Sequence, residues 1–447
     1  MASSSLTTPW KLPPHNTYIL ENANIINPID GSVLKGATIR LSDGIVQSVT
    51  TTTTGATKSE KPHQDSGITI DLKGKYVCPG LIDAHVHVAA VPGEKNLGDT
   101  LGLTDQVSMM RQPYVCLQMI RRGFTTARDC GGATLALKEA IEEGVFTGPR
   151  LFIAGRLLTQ TGGSADPRGP HDDGECCSGA KALGRVCDGV PACIKAARES
   201  IRTGSDFIKI FSGGSITGPA EKITSVHFSN EEIQAINTVA KNSGTYVTAH
   251  AYTPAAIRHA LDNGVMGIEH GNMIDEDTAK YMAEKGAFLT PTLTAYAVAA
   301  SPELKDFISD PRMAAKLQQV LSAGQRSLKI ASDAGVQICY GTDLMGPMHF
   351  AQTKEFALRA KVLSPVAVLQ SATVTAARLL GQADFLGQIK DGFAADLLIL
   401  NKNPLEDIEV FDRPDEHLLA VFKDGRVQTS RWSKLKEDVV TAVPMIE

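Results

Sequence analysis

The chain has 447 residues, of which 43% are hydrophobic and 21% charged, with a formal net charge of -5. These are the values of an ordinary globular protein, and they exclude the disordered and collagen-like classes. Lys and Arg are scattered, so no basic stripe is available for a phosphate backbone and nucleic acid is not an expected partner.

Met1 to Tyr18 holds no uninterrupted apolar segment, and no later stretch approaches the roughly 18 apolar residues of a membrane span. The expectation is a soluble, cytoplasmic protein without a membrane partner. The texture predicts an α/β protein: a (β/α)8 TIM barrel at residues 77–380, and a small β-sandwich-like module built from residues 1–76 and 381–447. The first part reads as short strands, Tyr18 to Asn27, Ala37 to Leu41 and Ile45 to Val49, the last two joined by the hairpin signal Asp43-Gly44. The polar stretch Thr50 to Ser66 predicts a loop before a strand at Ile68 to Leu72.

From Val77 onward, apolar β-branched runs alternate with helical patterns, the mark of βα units on a parallel sheet. Eight runs read as strands: Leu81 to Val88, Thr125 to Asp129, Arg150 to Ala154, Phe207 to Phe211, Tyr246 to His250, Gly267 to His270, Ala287 to Thr290 and Val336 to Tyr340. Helices are predicted at Leu135 to Glu143, Pro191 to Thr203, Asn230 to Ser243 with Ser229 as N-cap, Pro254 to Asn263 and Glu276 to Lys285. The long Gly155 to Gly189 connection follows a strand and is expected over the barrel mouth, and Leu293 to Asp333 reads as a helical cover. Strand signals return at Leu386 to Ile389, Ala395 to Leu400 and Leu418 to Phe422, which turns at Asp424-Gly425 into Arg426 to Thr429. Each terminus is too short for a comfortable core of its own, which predicts one shared module. Eight cysteines are too few for a disulfide scaffold, and thiols such as Cys116 and Cys339 read as core residues. Cys176, Cys177, Cys187 and Cys193 share one Gly-rich segment, where a disulfide or small zinc site is the alternative to reduced thiols.

Chemistry concentrates at the ends of the predicted barrel strands. In Asp83-Ala84-His85-Val86-His87 the two imidazoles share one strand face, a spacing that can bind a metal, and the C-terminal end of a barrel strand is where such sites sit. Lys209 lies in the apolar strand Asp206-Phe207-Ile208-Lys209-Ile210-Phe211, where an unpaired ammonium is costly. Either it pairs with a buried acid such as Asp129 or Asp206, or its neutral amine takes up carbon dioxide to give a carbamate able to bridge two cations. Thr248-Ala249-His250 and Ile268-Glu269-His270 each close a strand; either histidine alone could be a satisfied core residue. Asp343, in Cys339-Tyr340-Gly341-Thr342-Asp343, stands straight after the eighth strand, where a carboxylate can ligate a metal and accept a proton from water.

The joint order, His-x-His on strand one, Lys on four, His on five, His on six and Asp on eight, resembles the amidohydrolase superfamily over Tyr18 to Arg431. The resemblance implies two divalent metal ions, zinc foremost, with His85, His87 and Asp343 holding the first, His250 and His270 the second, and carboxylated Lys209 bridging both. The phrases Gln160-Thr161-Gly162-Gly163, Lys209-Ile210-Phe211-Ser212-Gly213-Gly214, His250-Ala251-Tyr252-Thr253-Pro254, Glu269-His270-Gly271-Asn272 and Gly341-Thr342-Asp343 look like the branch of metal-dependent Xaa-Pro dipeptidases and the fungal amidase ochratoxinase. That kinship implies a homo-oligomer and an amide substrate, a dipeptide or N-acyl amino acid. Ser164 departs from the histidine found in many relatives, and Tyr252 from the histidine of ochratoxinase-like members.

The mechanism implied is attack by a metal-bridging hydroxide. Asp343 shuttles the proton and Tyr252 donates to the carbonyl oxygen or oxyanion. Tyr252, Ser164, Gly163 and Met345 are the expected substrate contacts. One rival is a one-metal deaminase or cyclic-amide hydrolase resembling imidazolonepropionase, which needs no lysine carbamate. Another is an inactive scaffold on the same fold.

Overall fold

The computed structural model describes residues 7–51, 67–166, 168, 183–218 and 221–439. Near the N-terminus lie β1 (Tyr18–Ile26), β2 (Val33–Ser42), β3 (Ile45–Thr51), β4 (Ile68–Asp71) and β5 (Tyr76–Pro79). The central region carries β6 (Leu81–Val86), β7 (Phe124–Asp129), β8 (Arg150–Ile153), β9 (Leu157–Thr159), β10 (Gly184–Val186), β11 (Ile208–Phe211), β12 (Val247–Ala251), β13 (Gly267–His270), β14 (Phe288–Thr290) and β15 (Gln337–Ile338). The chain closes with β16 (Leu397–Leu400), β17 (Leu418–Lys423) and β18 (Arg426–Ser430).

The terminal strands form one 8-stranded sheet, ordered β18-β17-β16-β5-β1-β2-β3 with β4 beside β1, so both ends of the chain share it. Its hairpins turn where the sequence signals them: Asp43 and Gly44 have φ of 52° and 83°, and Asp424 and Gly425 of 50° and 69°, the left-handed pairs that favour Asp-Gly. Leu386 to Ile389, predicted as a strand, is not one; the sheet resumes at β16.

The central strands pair in parallel, as β6-β7-β8 and as β10-β9-β11-β12-β13-β14-β15. Backbone bonds join the two sheets at both edges, Asp206 N to Ile153 O at 2.8 Å and Ala84 N to Tyr340 O at 2.8 Å. Between the strands run helices α1 (Leu97–Gly102), α2 (Asp105–Arg121), α3 (Leu135–Glu142), α4 (Val190–Arg202), α5 (Asn230–Asn242), α6 (Pro254–Asp262), α7 (Glu276–Glu284), α8 (Leu293–Ala299) and α9 (Pro311–Asp333). The capping box that starts α5 is formed by Ser229 and Glu232. The predicted helices recur within a residue or so of their expected ends, whereas α2 was not foreseen, its helical pattern being interrupted by Pro113.

Strand periodicity decides which side chains face the helices. Ile208, Ile210, Val247, Ala249 and Ile268 pack with Ile233, Ile236 and Ala240 of α5 and Ile257 of α6 in one buried cluster. By the two-residue alternation of a strand, Lys209, Thr248, His250 and Glu269 then point to the opposite side. His270 follows Glu269 directly and would face the helices in a regular strand, but its φ of 74° breaks the alternation and turns it to the side of His250.

Candidate metal centre

The strand ends converge on Asp343. Its Oδ1 lies 3.1 Å from His87 Nε2 and 3.3 Å from His85 Nε2, and its Oδ2 lies 3.9 Å from His270 Nδ1. The His250 and His270 rings are 4.5 Å apart between centroids, and those of His85 and His270 4.9 Å. His85, His87 and Asp343 each offer a ligand atom within 4.8 Å of the others. Asp343, like His270, sits at positive φ, 53°, held by its amide bond to His85 O at 2.8 Å. Left-handed backbone at two of the converging side chains is local strain of the kind that collects at functional sites.

A model of the amidohydrolase family matches residues 76–428. The chain belongs to the amidohydrolase family. Ochratoxinase of Aspergillus niger is 28% identical over 418 residues, covering 91% of this chain and 85% of the relative. The crystal structure of an amidohydrolase, 42% identical, covers 92% of this chain and 98% of its own with a TM-score of 0.85. That of a prolidase complexed with N-methylphosphonate-L-proline, 38% identical, covers 93% and 100% with a TM-score of 0.88. The architecture of this amidohydrolase is therefore a TIM-barrel-like α/β fold with an additional β-rich module, and its activity is that of a hydrolase acting on C–N bonds.

Lys209 is 2% exposed, and among the described residues no carboxylate comes within ion-pair distance of it. The two acids weighed as its partners are engaged elsewhere. Asp206 binds Lys138 Nζ at 2.7 and 2.9 Å, and Asp129 accepts the amides of Val88, Gly131 and Ala133 at 2.8, 3.0 and 3.0 Å. Lys209 Nζ lies 5.9 Å from the Phe211 ring centroid, and that ring is 4.6 Å from the His250 ring, which brings the lysine beside the cluster.

The donor set suits a cation. Burial holds His250 well below the ordinary histidine value, and burial with the adjacent His250 does the same to His270. Both present unprotonated nitrogens. Burial works against ionisation of Asp343, but the surrounding histidines outweigh it and keep the carboxylate ionised well below its usual range. His85 differs: burial works against its charge, but the neighbouring Cys130, Asp343 and Glu269 outweigh it and raise its pKa. The unprotonated imidazoles of His250 and His270 and the anionic Asp343 are ligand types that a divalent cation site of nitrogen and oxygen donors uses.

Around these residues the amidohydrolase carries a support layer that the sequence reading did not assign. His85 Nδ1 bonds Glu269 Oε2 at 2.7 Å, and Glu269 Oε1 takes the Arg128 guanidinium at 2.6 Å and the Thr248 hydroxyl. Arg128, fully buried, also donates to Ala84 O at 2.6 Å and lies 5.0 Å over the Phe207 ring. His87 Nδ1 bonds Gly131 O at 2.8 Å, and Asp83 accepts from the Thr342 hydroxyl at 2.7 Å and Gln352 at 3.0 Å. His85 and His87 thus each have one ring nitrogen fixed by a buried partner, the arrangement that orients histidines in metal sites.

Of the expected substrate contacts, Tyr252 stacks edge-on to His250 at 4.6 Å, and Met345 packs in the cluster that contains Tyr252 and Tyr296. Ser164 and Gly163 lie in the loop after β9, and the Ser164 hydroxyl donates to Glu221, itself paired with His227 at 2.9 Å. Glu221 acts electrostatically on Tyr252. Cys187 and Cys193 are buried free thiols with Sγ atoms 3.8 Å apart; Cys176 and Cys177 lie outside the described residues. No helix among the described residues is long and apolar enough to cross a membrane.

Proposed function

We propose that this amidohydrolase cleaves the amide bond of a dipeptide or an N-acyl amino acid, with two divalent cations, zinc foremost, held by His85, His87, Lys209, His250, His270 and Asp343. The two parallel sheets are read as one closed (β/α)8 barrel over residues 77–380, carrying the module of residues 1–76 and 381–447. Lys209 acts as its carbamate, formed when the neutral amine adds to carbon dioxide and releases a proton. What supports this reading is the buried lysine, with no counter-acid among the described residues, beside histidines that converge on one carboxylate. A pair of divalent cations supplies Lewis-acid chemistry there, lowering the pKa of water towards neutrality and polarising a carbonyl oxygen.

The chain's own groups divide the remaining work. Asp343 is the base that receives the proton of water and returns it to the leaving amine, a role open to a carboxylate kept ionised among histidines. Tyr252 remains protonated because burial pushes its phenol far above the ordinary range, so it can donate to the substrate oxygen as negative charge develops there. Met345 and the Gly163-Ser164 loop line the substrate's approach, with the Glu221–His227 pair behind them. The amine half of the substrate is taken to be an amino acid with a free carboxylate, as in the prolidase complexed with N-methylphosphonate-L-proline.

The test is a screen of the zinc-loaded protein against N-acyl amino acids and dipeptides with varied C-terminal residues, with metal counted by plasma emission. Hydrolysis with about two ions per chain is expected, and Asp343→Asn should lower kcat by about 10²–10⁴-fold while most metal stays bound. Retained activity in that variant removes Asp343 from the proton transfer. A single ion per chain with a fully active Lys209→Ala variant moves the assignment to the one-metal deaminases.

A further inference from the structure

A chain of buried hydroxyls links a metal-facing histidine to the tyrosine over the site. His270 Nδ1 lies 2.8 Å from Thr292 Oγ1. The Thr292 hydroxyl donates to Tyr296 Oη at 3.4 Å, the longest link, and Tyr296 donates to Tyr252 Oη at 3.2 Å. All four residues are at most 4% exposed, so water does not compete for these bonds. We propose that Tyr296, through Thr292 and His270, is a positioning residue for catalysis: it occupies an acceptor site of the Tyr252 oxygen and so directs the Tyr252 hydrogen at the substrate. This rests on the reading of Tyr252 as a donor to the reacting carbonyl.

The direction of the chain carries the inference. Were Tyr252 to donate to Tyr296, its only hydrogen would be consumed within the fold and nothing would remain for a substrate oxygen. The polarity is set at the other end. With Nδ1 2.8 Å from the Thr292 oxygen, a cation would be taken by His270 Nε2, and the Nδ1–H tautomer that this requires would donate to the threonine oxygen. The threonine hydrogen then turns to Tyr296, and the Tyr296 hydrogen to Tyr252.

Thr292 supplies an independent sign. It occupies the N-cap of α8, yet its side chain makes no capping bond, unlike Thr104, Thr134 and Thr253 at the starts of α2, α3 and α6. The start of α8 is served by Glu355 instead, which accepts the Thr294 amide at 2.7 Å and the Thr294 hydroxyl at 2.6 Å. Thr353 and Thr373 likewise head helices without a capping bond; at Thr292, with the helix start served by Glu355, the hydroxyl is left for the chain leading from His270.

Tyr296→Phe, Tyr252→Phe and the double variant separate this role from a structural one. In the zinc-loaded protein Tyr296→Phe should lower kcat about tenfold with KM within about twofold and metal content unchanged, and the double variant should be no slower than Tyr252→Phe. Wild-type kcat in Tyr296→Phe, or a double variant whose loss is the product of the single losses, overturns the proposal. A readout that needs no turnover is the imidazole N–H spectrum of the zinc-loaded, 15N-histidine-labelled protein. A slowly exchanging Nδ1–H resonance should be lost in Thr292→Val and shifted in Tyr296→Phe; its absence in the wild type, or no response to either variant, also overturns it. Should the wild type hydrolyse no amide, the functional reading fails by itself, and the hydrogen-bond chain is judged on these spectra alone.

Discussion

Glu269 is the anion that holds His85 in place and neutralises Arg128, all three within the buried interior. Replacing it with Gln keeps the shape but removes the charge. Zinc affinity should fall about 10–100-fold, as it does when a partner of a metal-ligating histidine is lost. Stability should fall by about 3–5 kcal/mol, because the Arg128 guanidinium is left buried without its counter-ion. Competition with a chromogenic chelator and urea denaturation measure the two; unchanged affinity would mean that His85 is oriented by its strand alone. At this scale the converging residues were legible because each sits within an apolar strand or just at its end, where a histidine, lysine or aspartate is conspicuous. Glu269 was passed over although it stands next to His270, since a regular strand puts neighbours on opposite faces and only the positive φ of His270 brings both inward. Arg128, Thr292 and Tyr296 meet the site solely through space, and nothing in their local sequence announces it.

At the level of elements, local signals read well where one short stretch decides the outcome. Ser229 caps α5 while Glu232 reaches back to the Ser229 amide at 2.6 Å and also takes the Gly189 amide at 2.6 Å. Ser229→Ala should cost about 1 kcal/mol in a denaturant titration, and a loss near zero would mean that packing alone fixes this helix start. The helix α2 escaped notice because Pro113 removes a backbone donor in mid-helix. Packing of Val115, Cys116, Met119 and Ile120 against Phe124 and Leu137 holds it nevertheless, a tertiary gain that no local pattern displays. The turn at Gly346–Ala351 makes a pH-dependent contribution. His349 donates Nε2–H to Ala90 O at 2.9 Å, and burial holds its pKa down at about 4. The unfolded chain, with an ordinary histidine near 6.5, binds the extra proton first as pH falls, so this group's stabilisation is full above about 6.5 and disappears towards pH 4. The size is about 3 kcal/mol. His349→Gln should flatten the stability profile between those limits relative to wild type, compared at equal metal loading; an identical slope removes His349 as the cause.

Across the whole molecule, strand-rich sequence at both termini was enough to foresee a shared module, but the pairing that joins them was not readable. Tyr76 to Pro79 gives no sign that it lies between a strand some fifty residues upstream and another more than three hundred downstream, and its register is set by both. The same sheet is fastened to the parallel strands by Arg150, at the start of β8. Its Nη1 meets Asp396 Oδ2 at 2.6 Å, its Nη2 meets Asp424, and Asp396 Oδ1 accepts the Asp424 amide at 2.8 Å. Burial works against the charge of Arg150, but Asp396 and Asp424 outweigh it and raise its pKa, so the guanidinium stays charged at any working pH. Asp396→Ala would leave that cation with Asp424 alone, which is 42% exposed and correspondingly screened. The expected loss is about 3 kcal/mol, the lower end for a broken buried pair because one partner survives. If this contact is what makes the module and the barrel strands unfold together, calorimetry should show one transition in the wild type and two in Asp396→Ala. A single transition, merely shifted down, would assign the coupling instead to the apolar seam of Leu398, Leu418 and Val421 against Ile120 and Phe124.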